Sequence, residues 1–227
     1  MTPLILLSQK QDASMKIELV NPSEKILENR SKYFLKNNIN PSNVVSAEIT
    51  NSNKVAVVNK YDAGKFVKEV DGLITNNPDL ILSVTIADCV PIYFYDDIKK
   101  VFGIAHAGWR GITCDITKSM IDKFVEEFDS KTSDIKVYVG AHIQKCHFEI
   151  KEDIIDKFYD RFLIKENSII KVDLLGIIRD KLEKLGVKSE NISSSQECTY
   201  CESEKYFSYR RDKPEKVEAM IGVIGIR

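Results

Sequence analysis

Two short apolar runs, both rich in β-branched residues, constrain this chain more than any other feature. Residues 82–86 and 101–105 are too short for a core helix and bear the composition of strands. Each delivers a reactive side chain where its pattern ends. The first runs into Ala87-Asp88-Cys89, and the second into His106-Ala107-Gly108-Trp109-Arg110-Gly111. A thiol and an imidazole therefore sit at comparable points on two strands, with Asp96-Asp97 as a hairpin-like turn between them.

Helix and strand patterns interleave around this pair. Residues 24–35 carry apolar side chains among charges behind Ser23, a helix N-cap, and Pro41 ends that helix. Residues 44–49 and 54–58 read as two strands about a turn at Asn51-Ser52-Asn53. Asp71-Gly72 opens a loop that closes at Asn76-Asn77-Pro78. After Gly111 the period becomes helical, with Ile112, Ile116, Met120, Ile121, Phe124, Val125 and Phe128 on one stripe. Residues 135–139 return to strand, 151–162 and 172–185 read as amphipathic helices, and Gly186 suits a C-cap. Residues 206–211 form an aromatic, basic, strand-like run, and 220–226 a last apolar strand. There is no repeat and no low-complexity linker, so the expectation is one compact α/β domain over residues 23–227, with a loosely ordered N-terminal arm over 1–22.

Composition excludes several classes. A chain of 227 residues with 43% hydrophobic content can bury a substantial core. Its formal net charge of −1 offers no field to gather nucleic acid or an anionic membrane. No run nears the roughly 18 apolar residues of a membrane span, and the N-terminal apolar patch lacks a basic flank and the length of a signal peptide, so a cytoplasmic protein is expected. Five scattered cysteines suggest reduced thiols rather than a disulfide frame.

Taken singly, Cys89 reads as a small buried apolar residue; its pairing with His106 turns it into a candidate for chemistry. Thiolate and imidazole are both good zinc ligands, and they are also the core of a cysteine hydrolase, in which Arg110 would lower the thiol pKa. Asp88 either orients His106 or caps the turn after the strand. Trp109, Tyr93, Phe94 and Tyr95 could stack on a ligand, but Phe94 and Trp109 are expected rather to fill core or seal a strand edge. His142 and His147 flank Cys146 without strict ligand spacing, so they read as surface side chains rather than as a second metal site. Cys198-x-x-Cys201 lacks the second pair of a structural zinc site, which leaves Cys201 incidental.

The segments Thr85-Ile86-Ala87-Asp88-Cys89-Val90-Pro91-Ile92 and Ala105-His106-Ala107-Gly108-Trp109-Arg110-Gly111 resemble the signature of the laccase-domain (polyphenol oxidase, YfiH-like) family. The resemblance extends to Asn29-Arg30, to Asp71-Gly72-Leu73-Ile74-Thr75, to the run from Val139-Gly140 to Glu149, to Cys198-Thr199, and to Phe207-Ser208-Tyr209-Arg210-Arg211-Asp212. It implies mixed sheets covered by helices in a YfiH-like, cytotoxic necrotizing factor-like fold. It implies zinc held by His, Cys and His, two of which fall on Cys89 and His106, while the first falls on Thr50. It also implies phosphorolysis of purine nucleosides such as inosine and adenosine, with guanosine and methylthioadenosine as further substrates and adenosine deamination as a companion activity. Arg110, with Arg30, Arg210 and Arg211 as further cations, would then hold phosphate. The partners are the nucleoside and phosphate, in a monomer or homodimer. Two other readings stand beside this one: a homologue that has lost its metal and its catalysis, and a metal-free Cys-His hydrolase or amidase. The copper chemistry in the family's older name is excluded by counting, since a multicopper oxidase needs about ten histidines and this chain has three.

Overall fold

The central strands are apolar along their whole length because both of their faces are covered. In the computed structural model, which describes residues 2–18 and 22–226, strand β1 spans Pro3–Leu7 and helix α1 Glu24–Lys36. Strands β2 (Val44–Ala47), β3 (Val55–Val57), β4 (Phe66–Val67), β5 (Gly72–Thr75), β6 (Ile81–Ile86), β7 (Val90–Asp96) and β8 (Val101–Ala107) follow. Helices α2 (Trp109–Thr113) and α3 (Ile116–Phe128) come next, then β9 (Ile135–Val139), β10 (Glu149–Ile150), β11 (Leu163–Glu166) and β12 (Ile169–Val172). Helix α4 (Leu174–Lys184), β13 (Ile192–Ser194), the one-turn helix α5 (Tyr209–Asp212) and β14 (Met220–Ile226) complete the order.

Two large mixed sheets result, one of five strands ordered β1-β14-β6-β2-β4 and one of six ordered β13-β9-β7-β8-β5-β3. They pack face to face, and the period-2 alternation of each strand sorts its side chains between layers. On β7, Tyr93 and Tyr95 enter the core between the sheets with Leu82, Val84, Phe102, Ile104 and Met220. Ile92 and Phe94 face the other way, onto Met120 and Phe124 of α3 and the apolar face of α4. On the far side of the five-stranded sheet, Tyr33 and Phe34 of α1 cover Val44, Ile221 and Val223. Four layers in the order α1, sheet, sheet, α3 with α4 make the expected α/β architecture of mixed sheets covered by helices. Helix α3 approaches β8 closely: a Cβ on Gly103 would lie 2.7 Å from Met120 Cε.

Several local expectations are corrected. Residues 44–58 are not a hairpin. Strand β2 runs parallel to β6 in one sheet and β3 parallel to β5 in the other, so the turn at Asn51-Ser52-Asn53 is a crossing between layers. The expected loop from Asp71 contains β5, one strand in from the edge of the six-stranded sheet and antiparallel to β8; four residues carry too little pattern to announce a strand. Residues 151–162 form two 3₁₀ turns, Glu152–Lys157 and Asp160–Phe162, because the chain has only this length to pass from β10 to β11 of a small three-stranded sheet. Residues 206–211 are a loop entering α5, whose first turn is capped by Ser208. The strand apparent at residues 101–105 pairs with β7, which was not itself anticipated, and Asp96-Asp97 turns between those two. Within residues 1–22, expected as a loosely held arm, residues 3–7 are β1, antiparallel to β14, and Met15 is fully buried; residues 19–21 lie outside the described ones. No helix among the described residues is long and apolar enough to cross a membrane.

Candidate functional site

Cys89 directly precedes β7, and His106 lies one residue from the end of its hairpin partner β8, opposite Pro91. The hairpin thus converts a separation in sequence into adjacency at one end of the six-stranded sheet. A pocket of about 420 Å³ opens there, lined among others by Asn51, Cys89, His106, Trp109, Arg110 and Arg210. Gly108 keeps its centre open. A Cβ at that position would stand 3.0 Å from Asn51 Oδ1, 3.3 Å from Cys89 Sγ and 3.5 Å from His106 Cε1, so these three groups converge on the space a side chain would fill.

The group that organises this end of the sheet is Asp71, fully buried just before β5. Its Oδ1 accepts from His106 Nδ1 at 2.9 Å and from the Asn51 amide at 3.0 Å. Its Oδ2 accepts from the Ser52 amide and hydroxyl, both at 2.8 Å, and from Thr50 Oγ1 at 3.1 Å. Burial works against the carboxylate charge, but the bonds from His106 and Ser52 prevail and hold its pKa at about 2. Burial likewise opposes the imidazolium, yet the Cys89 sulfur and the Asp71 carboxylate raise the His106 pKa to about 9. Because Asp71 takes the Nδ1 proton, Nε2 is the nitrogen left for chemistry. The sequence gives Asp71 and Asn51 no role in the site: Asp71 stands there only at the opening of a loop and of one family-like segment, and Asn51 only in a turn.

Asp88 does not orient His106. Its φ of +82° turns the chain between β6 and β7, and its carboxylate accepts from Thr199 Oγ1 at 2.6 Å, Ser208 Oγ at 2.9 Å and the Arg210 amide at 2.7 Å. Its carbonyl accepts from the Ile143 amide at 3.0 Å. Three loops are thereby pinned behind Cys89.

The expected cations separate. Arg110 lines the pocket with its guanidinium 4.3 Å from the Trp109 ring centroid. Arg210 also lines it, donating to the Glu149 carbonyl at 2.7 Å and lying over Phe148. Arg211 does not: it donates to the carbonyls of Thr199, Tyr200 and Tyr206 and pairs with Asp212, which makes it a brace for that loop. Arg30 is buried under a neighbouring cavity, bonded to the Met15 carbonyl and Ser46 Oγ between the rings of Phe34 and Phe66, and burial lowers its pKa to about 10. Phe94 is core, as expected, and so are Tyr93 and Tyr95, whereas Trp109 is half-buried against Phe158 and reaches the pocket.

A metal in this pocket would meet Cys89 Sγ, the imidazole of His106 and the amide oxygen of Asn51. Thr50, the expected third position, turns its hydroxyl to Asp71 and Ser52 instead. A catalytic zinc takes three strong protein ligands, and a neutral amide oxygen is a weak substitute for the third. The pocket set therefore does not fit such a zinc.

A second thiol and imidazole cluster lies away from the pocket. Cys146, His147, Cys198 and Cys201 place their donor atoms within 4.8 Å of one another, a set that could hold a metal ion. Cys201 is thus not incidental. The partner that Cys198-x-x-Cys201 lacked is Cys146-His147, 55 positions before Cys201. His142 stays outside this cluster. It is fully buried, with Nδ1 2.8 Å from the Gly140 carbonyl, and burial lowers its pKa.

Known proteins resemble this geometry and this sequence along most of the chain. The crystal structure of the hypothetical protein YfiH from Bacillus licheniformis superposes with a TM-score of 0.91 at 28% identity, covering 99% of this chain and 93% of that one. YlmD from Geobacillus stearothermophilus matches with the same TM-score at 27% identity, covering 99% and 92%. In sequence, the purine nucleoside phosphorylase YlmD of Bacillus subtilis is 33% identical over 199 residues, 81% of this chain and 70% of that protein. The purine nucleoside phosphorylase CA_C1699 of Clostridium acetobutylicum is 37% identical over 160 residues, 69% of this chain and 67% of that protein. The family model described as multi-copper polyphenol oxidoreductase laccase matches residues 9–227, and the chain belongs to that family.

Proposed function

We propose that the Cys89–His106 pocket is the active site of a purine nucleoside phosphorylase acting on inosine or adenosine, with guanosine and methylthioadenosine as related substrates. The observation that carries this reading is a buried imidazole, kept protonated by Asp71 and Cys89, in one pocket with two arginines, in a chain whose relatives bear that name. Arg110 and Arg210 hold the phosphate beside the anomeric carbon. A phosphate oxygen forms its bond to C1′ as the C1′–N9 bond breaks, and that electron pair passes to the purine. His106 supplies a proton to a ring nitrogen of the departing base, and the products are free purine and a sugar 1-phosphate. Trp109, at the pocket wall, offers an apolar face for the base. The test is release of hypoxanthine from inosine with and without phosphate. Release that requires phosphate, and that falls by about 10²–10⁴ in His106→Ala, supports the reading; release indifferent to phosphate sinks it.

One arrangement favours a second reading. Asp71, His106 and Cys89 follow one another as orienting group, base and nucleophile, which is the order a cysteine hydrolase or amidase needs. Amide hydrolysis or adenosine deamination that survives chelator and vanishes in Cys89→Ala would establish it. A folded chain without either turnover would instead mark a homologue that has lost catalysis.

A further inference from the structure

We propose that Cys146, His147, Cys198 and Cys201 bind one structural zinc ion in a tetrahedral Cys₃His site, fastening the loop after β9 to the loop before α5 directly behind the Cys89 pocket. The separations match such an ion. Zinc–sulfur bonds of about 2.3 Å at tetrahedral angles put neighbouring sulfurs about 3.8 Å apart, and Cys146 Sγ lies 3.8 Å from Cys201 Sγ. His147 Nδ1 lies 3.2 Å from Cys146 Sγ and 3.3 Å from Cys201 Sγ, close to the somewhat shorter nitrogen–sulfur edge that such a site has.

The surroundings are those of a metal ligand set rather than of four unrelated side chains. The His147 ring stacks on Tyr200, with centroids 4.1 Å apart and planes at 13°, which fixes the imidazole with Nδ1 toward the sulfurs. The Gln144 amide donates to Cys198 Sγ at 3.3 Å, the kind of N–H contact that supports a metal-bound thiolate. Cys198 and Cys201 belong to one tight turn, in which the Glu202 amide donates to the Cys198 carbonyl at 3.0 Å. A disulfide satisfies the cluster less well, because it would join two of the three sulfurs and leave the third thiol and the imidazole unused.

The ion would also matter to the pocket. Thr199, inside the Cys198–Cys201 turn, donates to Asp88 at 2.6 Å, and Arg211 grips the carbonyls of Thr199 and Tyr200. Zinc binding displaces the thiol protons to solvent and locks that turn, so Asp88 and the Cys89 backbone it anchors are held from behind.

The experiment is elemental analysis of the reduced, chelator-washed full chain after incubation with zinc. Wild type and Cys89→Ala should each retain about one ion per chain, and Cys146→Ser and Cys201→Ser about none. Cobalt substitution should produce strong thiolate charge-transfer absorption and tetrahedral d–d bands in wild type and in Cys89→Ala. If the serine variants do not fold, alkylation of wild type gives the answer: zinc should protect Cys146, Cys198 and Cys201 while leaving the exposed Cys114 reactive. Failure of reduced wild type to take up zinc, loss of the ion in Cys89→Ala alone, or equal alkylation of all these cysteines with and without zinc would overturn the proposal.

Discussion

The chain holds two thiol and imidazole clusters, and their surroundings differ in kind. At the sheet end, the ring of His106 is buried, one nitrogen is held by a carboxylate, and Gly108 preserves empty space before Cys89. At the loops, Cys146, His147 and Cys201 are partly or fully open to solvent, and the donor atoms face one another. The first arrangement leaves a nitrogen and a sulfur unspent beside a cavity, which is what chemistry on a ligand requires. The second turns four donors inward around a point, which is what a closed metal site requires. Similar residues therefore do different work according to whether their remaining valence points at a space or at each other.

The sharpest way to break this contrast is to remove the carboxylate. Asp71→Ala should cost about 3–5 kcal/mol in denaturant unfolding, because it strands the buried His106 and frees Thr50, Asn51 and Ser52, whereas His147→Ala should cost far less in metal-free protein. His106→Ala should lower phosphorolysis by about 10²–10⁴, while Cys201→Ser should keep the chemical machinery and lose metal. A pH series sharpens the comparison further. The His106 pKa is raised from 6.5 to about 9, so its contribution to stability is full below pH 6.5 and is lost as pH rises through 9. The Asp71 pKa is lowered from 3.8 to about 2, so its contribution is present above pH 3.8 and is lost as pH falls toward 2. Unfolding free energy of metal-free wild type should decline at both limits, and Asp71→Asn should lose the acid slope and reduce the alkaline one, because Cys89 also holds the imidazolium. Gly108→Ala should reduce kcat/KM by about tenfold, roughly 1.4 kcal/mol of transition-state binding, with little change in melting temperature. The smallest expected effect separates two neighbours: Arg210→Ala should raise KM for phosphate with stability unchanged, and Arg211→Ala should lower stability by about 1–3 kcal/mol through the carbonyls it abandons, with KM unchanged.

Legibility in the sequence followed the range of the forces involved. Helices α1, α3 and α4 could be read because an amphipathic stripe repeats over three or more turns, and β6, β8, β9 and β14 because β-branched apolar residues dominate them. Strand β5 could not, since four residues between turn formers have no period to detect. Residues 151–162 misled because Ile154, Phe158 and Phe162 do pack on the core, at helical spacing, from two 3₁₀ turns and the extended link between them. Cys89 and His106 were legible as a pair because each stands where an apolar run ends, although the hairpin strand that brings them together, β7, was not read. Asp71 and Asn51 were not, because they reach His106 and Cys89 only where a crossing between sheets meets that hairpin.

By itself, then, the sequence determined the α/β class and a thiol and an imidazole, with Arg110 close behind, at the ends of two apolar runs, since short-range pattern carries that information; that β8 pairs with β7 rather than with β6 was decided by the packing of the sheets. Only the tertiary structure decided that Asp71 stands behind His106, that Asn51 rather than Thr50 faces the pocket, that Arg30 and Arg211 are spent on structure, and that Cys201 has partners. Each of these depends on contacts between segments far apart in the chain, whose positions are set by the packing of two sheets and not by any local preference.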